Sequence, residues 1–177
     1  MKNYSFKLGI YDGDKEVSQT ELSYEEVMSV ISSFPDSQSN EALFEYAASH
    51  ASSAVREHVA SKDNLSRKAV EILSADKSID VLRSLVRSSS FRKNASDKLL
   101  IDLIHLDFEI ARTIADCYEQ FDMADSAKLM NALLEATDPA ILTSLVGNYS
   151  TPKRVIKELA NNSDPYVAYM AKDRLKS

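Results

Sequence analysis

The residues able to do chemistry are few and scattered. Of the three histidines, His50 and His58 fall in neighbouring helical positions and could form a ligand pair. No acidic or sulfur ligand stands at a recognisable metal spacing from them, so no metal is expected. Asp102 and His105 are three apart on one helical face and could act as a base and its orienter, but no nucleophile is marked out to complete such a set. Cys117, the single cysteine, lies beside Asp116 with no cation close in sequence to activate it, and reads as a small buried apolar residue. Gly9, Gly13 and Gly147 are isolated, whereas a phosphate-cradling loop needs clustered glycines. The chain is therefore expected to be non-catalytic, with no cofactor.

The elements that would position any site are mostly helices. At 177 residues with 44% hydrophobic and 27% charged side chains, the chain can bury a core without staples, and three glycines and four prolines speak against a loop-rich β design. One cysteine excludes an intramolecular disulfide and suggests a reducing cytoplasm. The N-terminus lacks the apolar stretch and cleavage site of a signal peptide, and no apolar run is long enough to span a bilayer.

Residues 4–11 alternate Tyr4, Phe6, Leu8 and Ile10 with Ser5, Lys7 and Gly9, the period of a half-buried strand. Asp12-Gly13-Asp14 supplies a turn, and residues 16–22 return as a second strand. Ser23 and Glu26 form a capping-box pattern for a helix to about Ile31, and the Pro35-containing stretch 32–40 is a connector. Residues 1–40 are thus read as a hairpin, a capping helix and a connector, and 41–177 as a helical repeat body.

The repeat rests on apolar pairs four apart: Val55/Val59, Leu82/Val86, Ile110/Ile114, Ile141/Leu145 and Val167/Ala171. A second apolar position stands twelve residues before four of them, at Leu43, Val70, Leu129 and Val155; in the third unit Lys98 falls there, with Leu99 and Leu100 adjacent. Asp138-Pro139, Thr151-Pro152 and Asp164-Pro165 place a capping side chain before a proline suited to the first helical turn. Two short helices that cannot bury their stripes alone must stack on their neighbours.

The segment TPKRVIKELANNSDPYVAYMAKD, Thr151 to Asp173, resembles a unit of the leucine-rich repeat variant family, a HEAT-like helical repeat family. Fainter copies lie at 55–86 and 99–115. The resemblance implies a mainly α fold over about 41–177: a right-handed α-solenoid of about five short two-helix repeats, preceded by the small hairpin and helix. Some members of that family carry a cysteine cluster for an iron–sulfur centre, which Cys117 alone cannot supply.

Charge is uneven along the chain. The net charge is −6, and by segment the balance is −6 over 1–53, +4 over 54–95, −7 over 96–138 and +3 over 139–177. In stacked repeats the acidic stretch becomes a patch. Its acids are Asp102, Asp107, Glu109, Asp116, Glu119, Asp122 and Asp125, with Phe108, Tyr118 and Phe121 interleaved as candidate anchors. The pattern points to a basic protein partner, with no membrane and no direct nucleic-acid contact, in a monomer or a 1:1 heterocomplex. An immunity-type protein that blocks a basic nuclease toxin fits that combination. An adaptor linking two proteins is the alternative. A third reading, a helical-repeat DNA glycosylase relative, would use Arg56, Arg67, Lys68, Arg83, Arg87, Arg92 and Lys93 as its groove, against the sign of the net charge and without a tryptophan to hold a base.

Overall fold

A computed structural model describes residues 4–122, 125–136 and 138–176. It is mainly helical, with 12 helices among the described residues and a two-stranded antiparallel hairpin at the N-terminus. No helix among them is long and apolar enough to cross a membrane.

The hairpin pairs β1 (Lys7–Asp12) with β2 (Lys15–Glu21). Gly13 opens the two-residue turn at a φ of +60°, a conformation open to glycine without steric cost. The alternation of Leu8 and Ile10 does not mark a half-buried strand. Leu8, Ile10, Tyr11 and Val17 are between 58% and 63% exposed, because the rest of the chain covers only the hairpin's base. There Tyr4 meets Tyr46 edge-on with centroids 5.0 Å apart, and the Phe6 ring lies 5.9 Å from His50.

Helix α1 (Tyr24–Ser33) starts as its capping box requires: Ser23 accepts from the Glu26 amide, and the Glu26 carboxylate accepts from the Ser23 amide. The short helices that follow are α2 (Glu41–Ala47), α3 (Ser53–Ala60), α4 (Arg67–Ser74), α5 (Ile79–Leu85) and α6 (Ser89–Asn94). Then come α7 (Asp97–Leu106), α8 (Phe108–Cys117), α9 (Ser126–Glu135), α10 (Pro139–Gly147), α11 (Lys153–Leu159) and α12 (Pro165–Arg174). They form two compact units, residues 1–91 and 92–177. In the first, α3 packs between α1 and α5 while α2 touches α4. In the second, α10 packs between α8 and α12, and α7, α9 and α11 pair with their partners behind them.

All ten residues of the five apolar pairs are buried, and they fall at α3, α5, α8, α10 and α12 or the residue just past the end. Burial of such a side chain contributes roughly 1.5–3 kcal/mol, so this stripe is the main source of cohesion in each layer. Of the companion positions, Val70, Leu129 and Val155 are buried and Leu43 is half-buried. The third unit is shifted: Lys98 is exposed and Leu100 is fully buried. Here Asp107 is at once the C-cap of α7 and the N-cap of α8, so the turn is a single residue.

Aspartates tie one turn to the next at nearly constant separation. Asp36 accepts the amides of Asp63 and Asn64, Asp63 accepts that of Ser89, and Asp97 accepts that of Asp125, at 27, 28, 26 and 28 residues. Asp138 and Asp164 cap α10 and α12 in the expected way. Thr151 does not cap α11; it is buried, and Pro152 takes the position without a side-chain bond.

Both histidines of the first unit serve the fold. His50 Nδ1 accepts the Ser52 amide at 3.1 Å, and His58 Nε2 lies 2.8 Å from the Ser32 hydroxyl. Burial holds both below the ordinary histidine pKa, helped by Arg56 at His50 and Lys62 at His58. The unfolded chain then binds more protons than the folded one below about pH 6.5, so stability is full above that value and falls as pH drops through the folded pKa values. Thermal melts are expected to shift down between pH 8 and pH 5.5, and His50→Gln with His58→Gln to flatten that slope.

Candidate interaction surface

Helices α8, α10 and α12 leave an open groove of about 760 Å³ between them. The groove exists because the middle helix has nothing large on that side: α10 presents Ala140, Thr143, Ser144 and Gly147, and a Cβ built at Gly147 would meet nothing within 4 Å. The walls are taller. Arg112 and Asp116 rise from α8, and Tyr166 and Met170 from α12. The mixture of an apolar floor and a few polar groups suits a segment of another macromolecule.

The floor is rigidly held at one end. Asn148 is buried and donates to the carbonyls of Ala115 and Asp116 and to the Glu119 carboxylate, at 2.9–3.1 Å. Arg174 does the same for the end of α10, donating to the carbonyls of Val146, Asn148 and Tyr149. These bonds satisfy carbonyls that a helix end leaves without partners. Asn148→Ala is expected to cost about 1–3 kcal/mol, read as a lower denaturant midpoint.

The ten residues proposed from the sequence divide into four groups. Phe108, Glu109 and Asp116 are all on α8, Asp116 in the groove wall and the other two on the helix's first turn, with Phe108 51% exposed. Asp107 and Asp125 are N-caps, accepting from the Ile110 amide and from those of Ala127 and Lys128, and Glu119 is engaged by Asn148. The charge of Asp107 and Asp125 is partly spent on backbone donors, and that of Glu119 on a side-chain amide. Asp102 and Asp122 are exposed on α7 and on the turn before α9, away from the residues that line the groove. Tyr118 and Phe121 are not surface anchors. Both are 2% exposed, because the turn Tyr118–Gln120 folds back against α8 and α9 and carries the two rings into the core.

Sequence reasoning missed the floor and the far wall. A signal was present in the small residues of α10, spaced three and four apart on one helical face.

At least five of the seven basic residues proposed for the third reading have local partners. Arg56 pairs with Asp76, Arg67 with Glu71, Lys68 with Glu45 and Arg83 with Asp80, and Arg92 donates to Gln120. Cys117 is buried, its thiol 3.1 Å from the Thr113 carbonyl, and burial pushes its pKa up. Among the described residues no three histidines, cysteines or carboxylates stand together to hold a metal ion.

No family model matches the chain, and neither the curated proteins nor the solved structures include a significantly similar one.

Proposed function

We propose that this protein is a non-catalytic binding module that takes a basic protein partner on the α8, α10 and α12 face. The observation that carries the reading is the groove itself, with a floor of small side chains, Tyr166 on one wall, and Asp116 beside Arg112 on the other; Phe108 and Glu109 stand on the first turn of the same helix, α8. The exposed Asp116 and half-buried Glu109 carboxylates can attract and orient a cationic partner. In the specific form proposed, the protein is an immunity-type inhibitor of a basic nuclease toxin in the cytoplasm, with its acids standing in for phosphate charge.

The same reading takes the repeat body as an α-solenoid of the leucine-rich repeat variant or HEAT-like kind. Two features support this: the five buried apolar pairs, and the aspartate bonds that recur at 26 to 28 residues. Stacked repeats of this sort offer extended binding faces.

The test is affinity capture of the full chain from its source cells at low and at about 0.5 M salt, where screening removes most surface attraction. One dominant basic protein is expected, with capture reduced by high salt and by the pair Glu109→Lys and Asp116→Lys. Recovery of nucleic acid alone, or of many unrelated proteins, would contradict the reading.

A further inference from the structure

We propose that strand β1 is a docking edge for the β1 strand of a second copy of this chain. The hairpin has two open edges, and only one of them is guarded. The pairing register slips at Ile10/Tyr11, so that Ile10 faces Ser18 while Tyr11 faces Glu16 and Val17 is the extra residue on β2. A bulge of this kind, with Lys15, Glu16 and Glu21 on the same strand, blunts the β2 edge. Strand β1 is regular, and its charges, Lys7 and Asp12, sit only at its two ends.

The register fixes which β1 groups are unpaired. The Leu22 amide donates to the Phe6 carbonyl at 2.8 Å, so Phe6, Leu8 and Ile10 direct their backbone groups at β2. The amides and carbonyls of Lys7, Gly9 and Tyr11 then face outward. An antiparallel two-fold pair centres on one of these three as a hydrogen-bonded pair, or on Leu8 or Ile10 as a non-hydrogen-bonded one. Centring on Leu8 would pair Ile10–Asp12 with residues 4–6, where Tyr4 and Phe6 already meet Tyr46 and His50, and centring on Ile10 sets Leu8 against Asp12. Centring on Lys7 opposes two lysines, and centring on Tyr11 leaves few residues overlapped. Centring on Gly9 pairs residues 7–11 of the two strands and sets Leu8 against Ile10.

That pairing is complementary on both faces. On one, Ser18, Ile10, then Leu8 and Thr20 of the second copy form a row with the two exposed aliphatic side chains in its middle. On the other, the row runs Glu16, Tyr11, then Lys7 and Glu21 of the second copy, so each lysine falls between a tyrosine ring and a carboxylate. The Tyr11 hydroxyl already donates to Glu16 at 3.3 Å. The two glycines meet at the axis with the Tyr11 ring over each; a Cβ at Gly9 would come within 2.7 Å of that ring. A two-stranded ribbon is marginal in water, and a four-stranded one gains pairs without losing any.

Sedimentation of the full chain is expected to show a weak monomer–dimer equilibrium, with dimer rising over roughly 10–500 µM, as suits a small interface. Leu8→Lys with Ile10→Lys should abolish the dimer and leave the helical circular dichroism unchanged. The register is tested by disulfides in a Cys117→Ala background. A Leu8→Cys chain mixed with an Ile10→Cys chain places the two sulfurs on directly opposed residues, with Cα atoms about 4.5 Å apart. Leu8→Cys alone places them diagonally, roughly 7–8 Å apart. Mixed chains should cross-link at least about tenfold faster. A chain monomeric at every concentration, a dimer indifferent to the lysines, or equal cross-linking in the two experiments would overturn the proposal.

Discussion

Replacing Asp76 with alanine is expected to lower the stability of the protein by about 3–5 kcal/mol. Asp76 accepts from Arg56 Nε at 2.6 Å and from Nη2 at 3.0 Å, a two-point contact, and it also accepts the Ser78 amide at 2.9 Å. Arg56 Nη1 donates to the carbonyls of His50 and Ala51. One ion pair thus joins the turn before α3, α3 itself and the turn before α5. The side chains are 13% and 2% exposed, so water cannot replace the lost carboxylate.

Burial by itself would raise the Asp76 carboxyl, but the bonds from Arg56 and the Ser78 amide override it and hold the pKa below the ordinary aspartate value. Its contribution is therefore present above about pH 3.9 and lost as pH falls through the folded pKa. Denaturant titration at pH 7 checks the size of the effect. The double variant Arg56→Met with Asp76→Leu should recover most of the loss, since it is the orphaned charge that costs most and the pair itself contributes less. Equal destabilisation of the single and double variants would show that packing dominates instead.

The second large effect concerns binding. Gly147→Trp is expected to weaken capture of the basic partner by about a hundredfold or more, because an indole would fill the floor between Thr143 and Tyr166. The substitution is structurally permissive: nothing lies within 4 Å of the new Cβ, and almost any residue suits a helix better than glycine. Unchanged melting together with lost capture would separate binding from folding. Asp102→Lys is the control, since that side chain is exposed on α7 and lines no part of the groove. It should change affinity by less than about threefold beyond the general loss of attraction.

The helical layers were legible in the sequence for a plain reason. An apolar pair four apart must face a neighbour, and Asp-Pro before it can hardly be anything but a helix start. Burial of Val55 and Val59, of Ile141 and Leu145, and the caps at Asp138 and Asp164 all follow from that local chemistry. What a residue faces beyond its own helix was not legible. Leu8 and Ile10 alternate as a buried strand would, but alternation does not say whether a covering layer exists, and only the base of the hairpin has one. Counting Asp107 and Asp125 among the acids of the patch overlooked that a short side chain one residue before a helix is drawn to the backbone amides. Tyr118 and Phe121 looked like anchors among acids because the turn that rotates them inward has no periodic signature. The groove depended on small residues, whose meaning appears only when larger neighbours stand on both sides.

Hydrogen exchange on the captured complex tests the central claim most directly. Amides within and bordering Phe108–Cys117, Pro139–Gly147 and Pro165–Arg174 are expected to gain protection when the basic partner is bound. Protection confined to the hairpin or to residues 54–95, with those three helices unchanged, would contradict it.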